Sequence, residues 1–230
     1  MNFDLLCEWG LRGLEALAPD ADAVVIVDVL SFSTAVDIAV ARGARIVPAA
    51  EYAGSGAVQA GPRSTQAGYS LSPASLEAIP PGTELILPSP NGGELCARAR
   101  YNVVLTACLR NCQAVAAHLR ARGHHFAVIP AGEQWPDGSL RPCLEDLLGA
   151  GAVLCHLPGT RSPEAEMAVA AFERFRASLH DALSFSMSGR ELIQRGYPRD
   201  IELAGQYATS SAVPLLADHR FLEATQLRLP

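Results

Sequence analysis

Residues 23–30 are apolar at every position but Asp28, and four of them are valine. A run of this kind suits a strand buried on both faces of a parallel sheet. The period then changes. Ser33 and Thr34 open a helix whose apolar positions Ala35, Val36, Ala39 and Val40 share one face, and Gly43 closes it. The same alternation predicts strands over 45–49, 84–87, 102–107 and 126–131, with helices from Glu94 and over 111–122. Residues 54–81, rich in Gly, Ser and Pro, read as loop with short helical pieces. From about residue 144 the pattern is almost wholly helical, over 144–157, 163–177 and 189–195, while 200–229 fits neither period. Alternating strands and helices predict an α/β protein of three layers, α/β/α, around a mostly parallel sheet. The chain is expected to form one domain over 1–230, helix-rich from about 144.

Chemistry gathers where the strand over 126–131 runs into a polar loop. Glu133, Trp135, Arg141, Glu145 and Asp146 follow within a few turns. Carboxylates collected at the end of a parallel strand commonly hold a hard cation such as Mg²⁺, and a metal beside an arginine suits a phosphorylated or otherwise anionic substrate. Glu145 and Asp146 are adjacent, so on a helix they point about 100° apart and cannot both face one ion squarely. The expectation is that one binds metal or acts as base while the other caps the helix or pairs with arginine. An acidic first turn complementing the helix dipole is the plainer reading of both.

Asp28 ends the first strand just before a helix start carrying Ser31, Ser33 and Thr34, where a carboxylate can hold a metal and hydroxyls and N–H groups can receive a phosphate. The alternative is an aspartate satisfied by nearby backbone N–H groups. Ser89-Pro90-Asn91-Gly92-Gly93, between a strand and a helix, forms either an anion nest or an ordinary turn. Arg63 and Arg141 are candidates for gripping an anionic group. A competing signal is Cys155, six residues before Arg161, the spacing of cysteine phosphatases. Leu154 stands there in place of the expected histidine, and Pro158 interrupts the loop.

Composition narrows the chemistry. The chain contains no lysine, all 18 basic residues being arginine, which excludes pyridoxal-phosphate chemistry, Schiff-base aldolases and the Walker A loop. A net charge of −6 with no basic stripe argues against nucleic acid as partner. The six cysteines form no Cys-x-x-Cys pair; Cys108 and Cys112 with His118 lack further partners for zinc, so the cysteines read as reduced and the protein as cytoplasmic. No apolar run is long enough to span a bilayer and the N-terminal segment is not a signal peptide, so no membrane is expected.

Val27-Asp28-Val29-Leu30 with Ser33-Thr34, Pro90-Asn91-Gly92, Ala131-Gly132-Glu133 and Leu144-Glu145-Asp146-Leu147-Leu148-Gly149-Ala150-Gly151 together resemble the 2-phosphosulfolactate phosphatase (ComB-like) family. Fainter echoes lie at Ser188-Gly189-Arg190-Glu191-Leu192 and Val213-Pro214. The chain departs from the family pattern at Ser31, where arginine is usual, at Gly61-Pro62-Arg63 for Gly-Glu-Arg, and at Gly68-Tyr69-Ser70-Leu71-Ser72-Pro73, which lacks an Asp and an Asn. The resemblance implies a Mg²⁺-dependent phosphomonoesterase with altered specificity, acting on a small anionic phosphorylated substrate. Asp28, Glu145 and Asp146 would be catalytic, and Asp28, Glu133 and Glu145 would hold the metal. Ser33, Thr34, Asn91 and Gly92 would bind the phosphate, with Arg63 and Arg141 on the acidic tail. Attack by water and a covalent aspartyl-phosphate both stay open, as does a homodimer. The alternatives are an anion-binding protein without catalysis and a cysteine phosphatase using Cys155 and Arg161.

Overall fold

The structure is a computed structural model, and it describes residues 3–49, 51, 53–64, 68–99 and 103–226. In chain order its elements begin with β1 (Leu5–Cys7), α1 (Gly10–Leu17), β2 (Ala23–Val27), α2 (Phe32–Ala41), β3 (Arg45–Val47), β4 (Val58–Gln59) and β5 (Glu84–Ile86). Then come α3 (Gly92–Arg98), β6 (Val104–Ala107), α4 (Cys112–Leu119), β7 (Phe126–Pro130), β8 (Glu133–Gln134), β9 (Leu140–Arg141) and α5 (Leu144–Leu154). The C-terminal part holds α6 (Pro163–Phe175), α7 (Leu179–Phe185), α8 (Met187–Gln194), α9 (Pro198–Ala204), β10 (Pro214–Ala217) and β11 (Arg220–Glu223).

The central sheet has the order β1-β7-β2-β6-β10-β11-β3-β5-β4. Pairing is parallel within β1-β7-β2-β6 and within β3-β5-β4. Between these blocks stands the hairpin β10–β11, antiparallel to both neighbours and internally. The α/β class with a mostly parallel sheet therefore holds. The hairpin does not follow from a periodic reading of 200–229: each strand has four residues, and its turn places Asp218 and His219 at φ 46° and 61° rather than using Asn-Gly. β1 and α1 also precede the first strand read from the sequence. The predicted helix over 111–122 ends earlier, at Leu119, and Asn102 lies outside the described residues.

The unbroken apolar run has its physical reason in β2. Val25 and Val27 belong to one core cluster, with Leu148 and Phe172, whereas Val24 and Ile26 belong to the other, with Phe32 and Leu85. Both faces of the strand are thus covered by side chains, so alternation has no polar half. Among the described residues, no helix is long and apolar enough to cross a membrane.

α5 reaches the strand ends because two of its residues lack side chains. A Cβ at Gly149 would lie 2.6 Å from Val29 Cγ2, and one at Gly151 would lie 2.0 Å from the backbone oxygen of Ala168 in α6. The small face seats α5 against the loop after β2 on one side and α6 on the other. Gly151→Ala must push the two helices apart. The expected cost is about 1–3 kcal/mol of overpacking, read as a lower urea midpoint with an unchanged denaturant slope.

Candidate active site

The loops that leave β2 and β7 meet at the first turn of α5, and the loop after β5 joins them at Asp28 and Glu133. Asp28 follows directly on β2 and is buried. Its Oδ1 accepts the Phe32 N–H at 3.2 Å, and its Oδ2 accepts the Gly92 N–H at 2.8 Å and the Ser89 hydroxyl at 3.3 Å. Gly92 is needed for this approach, since a Cβ there would lie 2.6 Å from Asp28 Cβ. The backbone-bonded aspartate is therefore what the structure contains, and the same side chain also lines a cavity of about 160 Å³.

Glu133 lines that cavity too, and its Oε2 accepts the Asn91 Nδ2–H at 2.8 Å. Asp146 lies behind them. One of its oxygens accepts the Val29 N–H at 2.7 Å and the other the Gly132 N–H at 2.8 Å, joining the loop after β2 to the loop after β7. It neither caps its own helix nor pairs with an arginine, so the division of labour expected between the two neighbouring acids takes another form. Glu145 is buried beside it, and no hydrogen bond reaches its carboxylate among the described residues.

This crowding shifts the acids' proton affinities. Burial, opposed by hydrogen bonds from Gly92, Phe32 and Ser89, lifts the Asp28 carboxyl above its ordinary range. Burial and then the charges of Asp28 and Glu145 lift Asp146 well above it. Burial and the charge of Asp28 lift Glu133, with the Asn91 bond and Arg141 acting against them. Such a cluster favours a bound cation or a proton.

Of the other residues singled out in the sequence, Asn91 and Arg63 line the cavity. Ser33 and Thr34 are turned inward. The Ser33 hydroxyl accepts the Asp28 N–H at 2.8 Å and pairs with Thr106 Oγ1 at 2.6 Å, while the Thr34 hydroxyl donates to Val29 O at 2.8 Å. The Gly92 N–H is committed to Asp28. Arg141 is buried under Trp135, its guanidinium 5.5 Å from the ring centroid, and it reaches Ser188 Oγ at 3.3 Å and Glu191 at 3.8 Å. It braces the β8–β9 loop against α8. Arg63 enters the cavity bonded to Asp200 at 2.6 Å, Ser31 Oγ at 2.6 Å and Leu71 O at 3.2 Å.

The cavity's remaining wall comes from α8 and the residue after it: Ser188, Glu191, Leu192 and Arg195. The resemblance reached the first three, but nothing distinguished Arg195, or Asp200 behind Arg63, among so many arginines and acids. The rival pair is differently placed. Cys155 follows the C-terminus of α5, its thiol donates to Ala152 O at 3.3 Å, and burial raises its pKa. Arg161 pairs with Glu166 at 3.3 Å.

Among the described residues no three His, Cys, Asp or Glu side chains form a closed metal cage. Of the three carboxylates that line the cavity, Glu191 stands on the helical wall, and the strand-end pair Asp28 and Glu133 fits Mg²⁺, which characteristically uses one or two carboxylates and fills the rest of its shell with water and phosphate oxygens.

Fold and cavity together define an α/β protein with an acidic, arginine-flanked cleft assembled at strand ends. The family described as 2-phosphosulpholactate phosphatase matches residues 14–219, and the chain belongs to it. Three relatives carry the name "Probable 2-phosphosulfolactate phosphatase". That of Gloeobacter violaceus is 31% identical over 134 residues, covering 58% of this chain and 55% of the relative. That of Carboxydothermus hydrogenoformans is 29% identical over 208 residues, with 84% and 85% covered. That of Pseudothermotoga lettingae is 27% identical over 210 residues, with 86% and 91% covered.

A test of the acid cluster uses Glu133→Gln in metal-free buffer. A carboxyl with a raised folded-state pKa costs nothing below its unfolded value, near 4.5, and costs most above its folded value. The variant is expected to match the wild type in melting temperature near pH 4 and to exceed it at pH 7.5. A lower melting temperature at pH 7.5 would contradict the strained-acid account.

Proposed function

We propose that the protein is a Mg²⁺-dependent phosphatase acting on a small acidic phosphomonoester of the 2-phosphosulfolactate type. The observation that carries this reading is the pairing of Asp28 and Glu133 on one small cavity that arginine also enters, in a chain of this family. Asp28 and Glu133 would hold the ion, with Glu145 and Asp146 adding negative potential behind them. When bound, Mg²⁺ would supply Lewis-acid polarisation of the phosphoryl group and charge neutralisation.

The protein's own groups do the remaining work. Asn91 fixes the Glu133 carboxylate through its amide, and the Gly92 and Phe32 N–H groups fix that of Asp28, so both face the cavity without reorganising. Arg63, oriented by Asp200, presents its guanidinium toward an anionic oxygen of the ester. Leu30, Leu71 and Leu192 line the same space and restrict water at the reacting centre. The placement of Cys155, with a raised thiol pKa at the far end of α5, favours the carboxylate reading over a cysteine nucleophile.

The deciding experiment is phosphate release from a panel of phosphorylated hydroxy acids, including 2-phosphosulfolactate, with Mg²⁺ and then with EDTA. Turnover is expected with Mg²⁺ only. Asp28→Asn is expected to lower kcat/KM on the order of 100-fold, and Cys155→Ser to leave it unchanged. Release that survives EDTA and disappears in Cys155→Ser would transfer the chemistry to the cysteine. Ligand binding without turnover at any Mg²⁺ concentration would make the protein a binding protein on this fold.

A further inference from the structure

The cavity has two walls of different origin. Asp28, Ser89, Asn91 and Glu133 come from the strand-end loops, whereas Arg195 belongs to the helical wall built by α8. We propose that Arg195 is the residue that recognises the second anionic group, a carboxylate or sulfonate, that a substrate of this type carries beside its phosphoryl group. This rests on the reading of the cavity as a phosphoryl site.

The argument begins with which positive charges are already engaged. Arg63 holds Asp200 and Ser31 and packs over Tyr197, 5.5 Å from the ring centroid. Arg141 is buried outside the cavity lining, against Trp135, Ser188 and Glu191. Arg195 also lines the cavity, and its side chain has no ion pair or hydrogen bond among the described residues. Glu191, one helical turn earlier and on the same wall, is the natural i,i+4 partner, but it lies 3.8 Å from Arg141 instead.

The backbone of Arg195 is held firmly. Its N–H donates to Glu191 O at 3.1 Å, and the next residue, Gly196, takes φ 90° and donates to Ile193 O at 3.0 Å. The Tyr197 N–H returns to Leu192 O at 2.9 Å, closing the helix end. A fixed Cα and an exposed side chain that lines the cavity without a partner make a planar fork of donors available to it, the geometry that matches carboxylate and sulfonate oxygens. The cavity, at about 160 Å³, lies well below the roughly 300–1,000 Å³ of pockets for drug-sized ligands, which suits a compact substrate whose second anion lies near its phosphoryl group. Small acid phosphates meet that condition.

The test measures calorimetric binding, with Mg²⁺ present, of two non-hydrolysable probes: 3-phosphonopropionate, which bears a carboxylate, and propylphosphonate, which does not. Wild type is expected to prefer 3-phosphonopropionate. Arg195→Gln is expected to weaken that probe about tenfold or more while changing propylphosphonate less than about twofold, and Arg195→Lys to recover part of the loss. Equal loss of both probes, no loss of either, or a wild type that shows no preference or binds neither overturns the proposal. Turnover is scored separately. Phosphate release that Arg195→Gln reduces equally for esters with and without a second anion sinks the recognition role and leaves the phosphatase standing. The expected probe pattern in a protein that releases no phosphate does the reverse.

Discussion

The two hydrogen bonds of the Asp146 carboxylate hold this architecture's working end together. They fasten the backbone just after β2 to the backbone just after β7, at Val29 and Gly132. Everything that faces the cavity from those strands, Asp28 on one side and Glu133 on the other, inherits its position from that tie. The arrangement is made at an electrostatic cost, because the carboxylate is buried beside two other acids. Backbone N–H donors and a place in the first turn of α5 offset part of it. Gly149 allows that turn to approach, so a residue without a side chain and one with a charge serve the same junction.

How much of this could be read from the residues depended on how local the cause was. β2 was legible because burial on both faces leaves an uninterrupted apolar run, and Asp28 and Glu133 stood out because they follow the ends of such runs. Ser33 and Thr34 stood in the same favourable place, yet their hydroxyls satisfy the carboxyl-terminal backbone of β2 and the side chain of Thr106. A helix start next to a strand end has internal donors and acceptors to pair first, and sequence does not say which will claim a hydroxyl. The hairpin β10–β11 was hidden for a different reason: four-residue strands are too short for a period, and their place is set by the edges of β6 and β3, far off in the chain.

Ser31, where the chain departs from the family pattern, and Ser72, in a segment that departs from it nearby, belong to one chain of hydrogen bonds. Ser31 Oγ accepts from Arg63, Arg63 pairs with Asp200, and Ser72 donates to Asp200 at 2.5 Å. Arg63, the arginine this chain keeps from the family pattern, is thus held by the serine at position 31 and oriented by Asp200 of α9. Ser31 and Ser72 are coupled, through Arg63 in the first case and directly in the second, to a carboxylate more than a hundred positions away.

The position of the hairpin at the middle of the sheet also constrains how the chain can be made. Among the described residues, the blocks β1-β7-β2-β6 and β3-β5-β4 are joined in the sheet only through residues 214–223. During synthesis from the N-terminus, both blocks are complete in sequence long before their shared neighbour leaves the ribosome. Until then β6 and β3 carry open edges, the kind of surface that recruits foreign strands. The sheet is therefore closed by its last strands, inserted at its centre, and a nascent chain halted before them would be the species most in need of a chaperone.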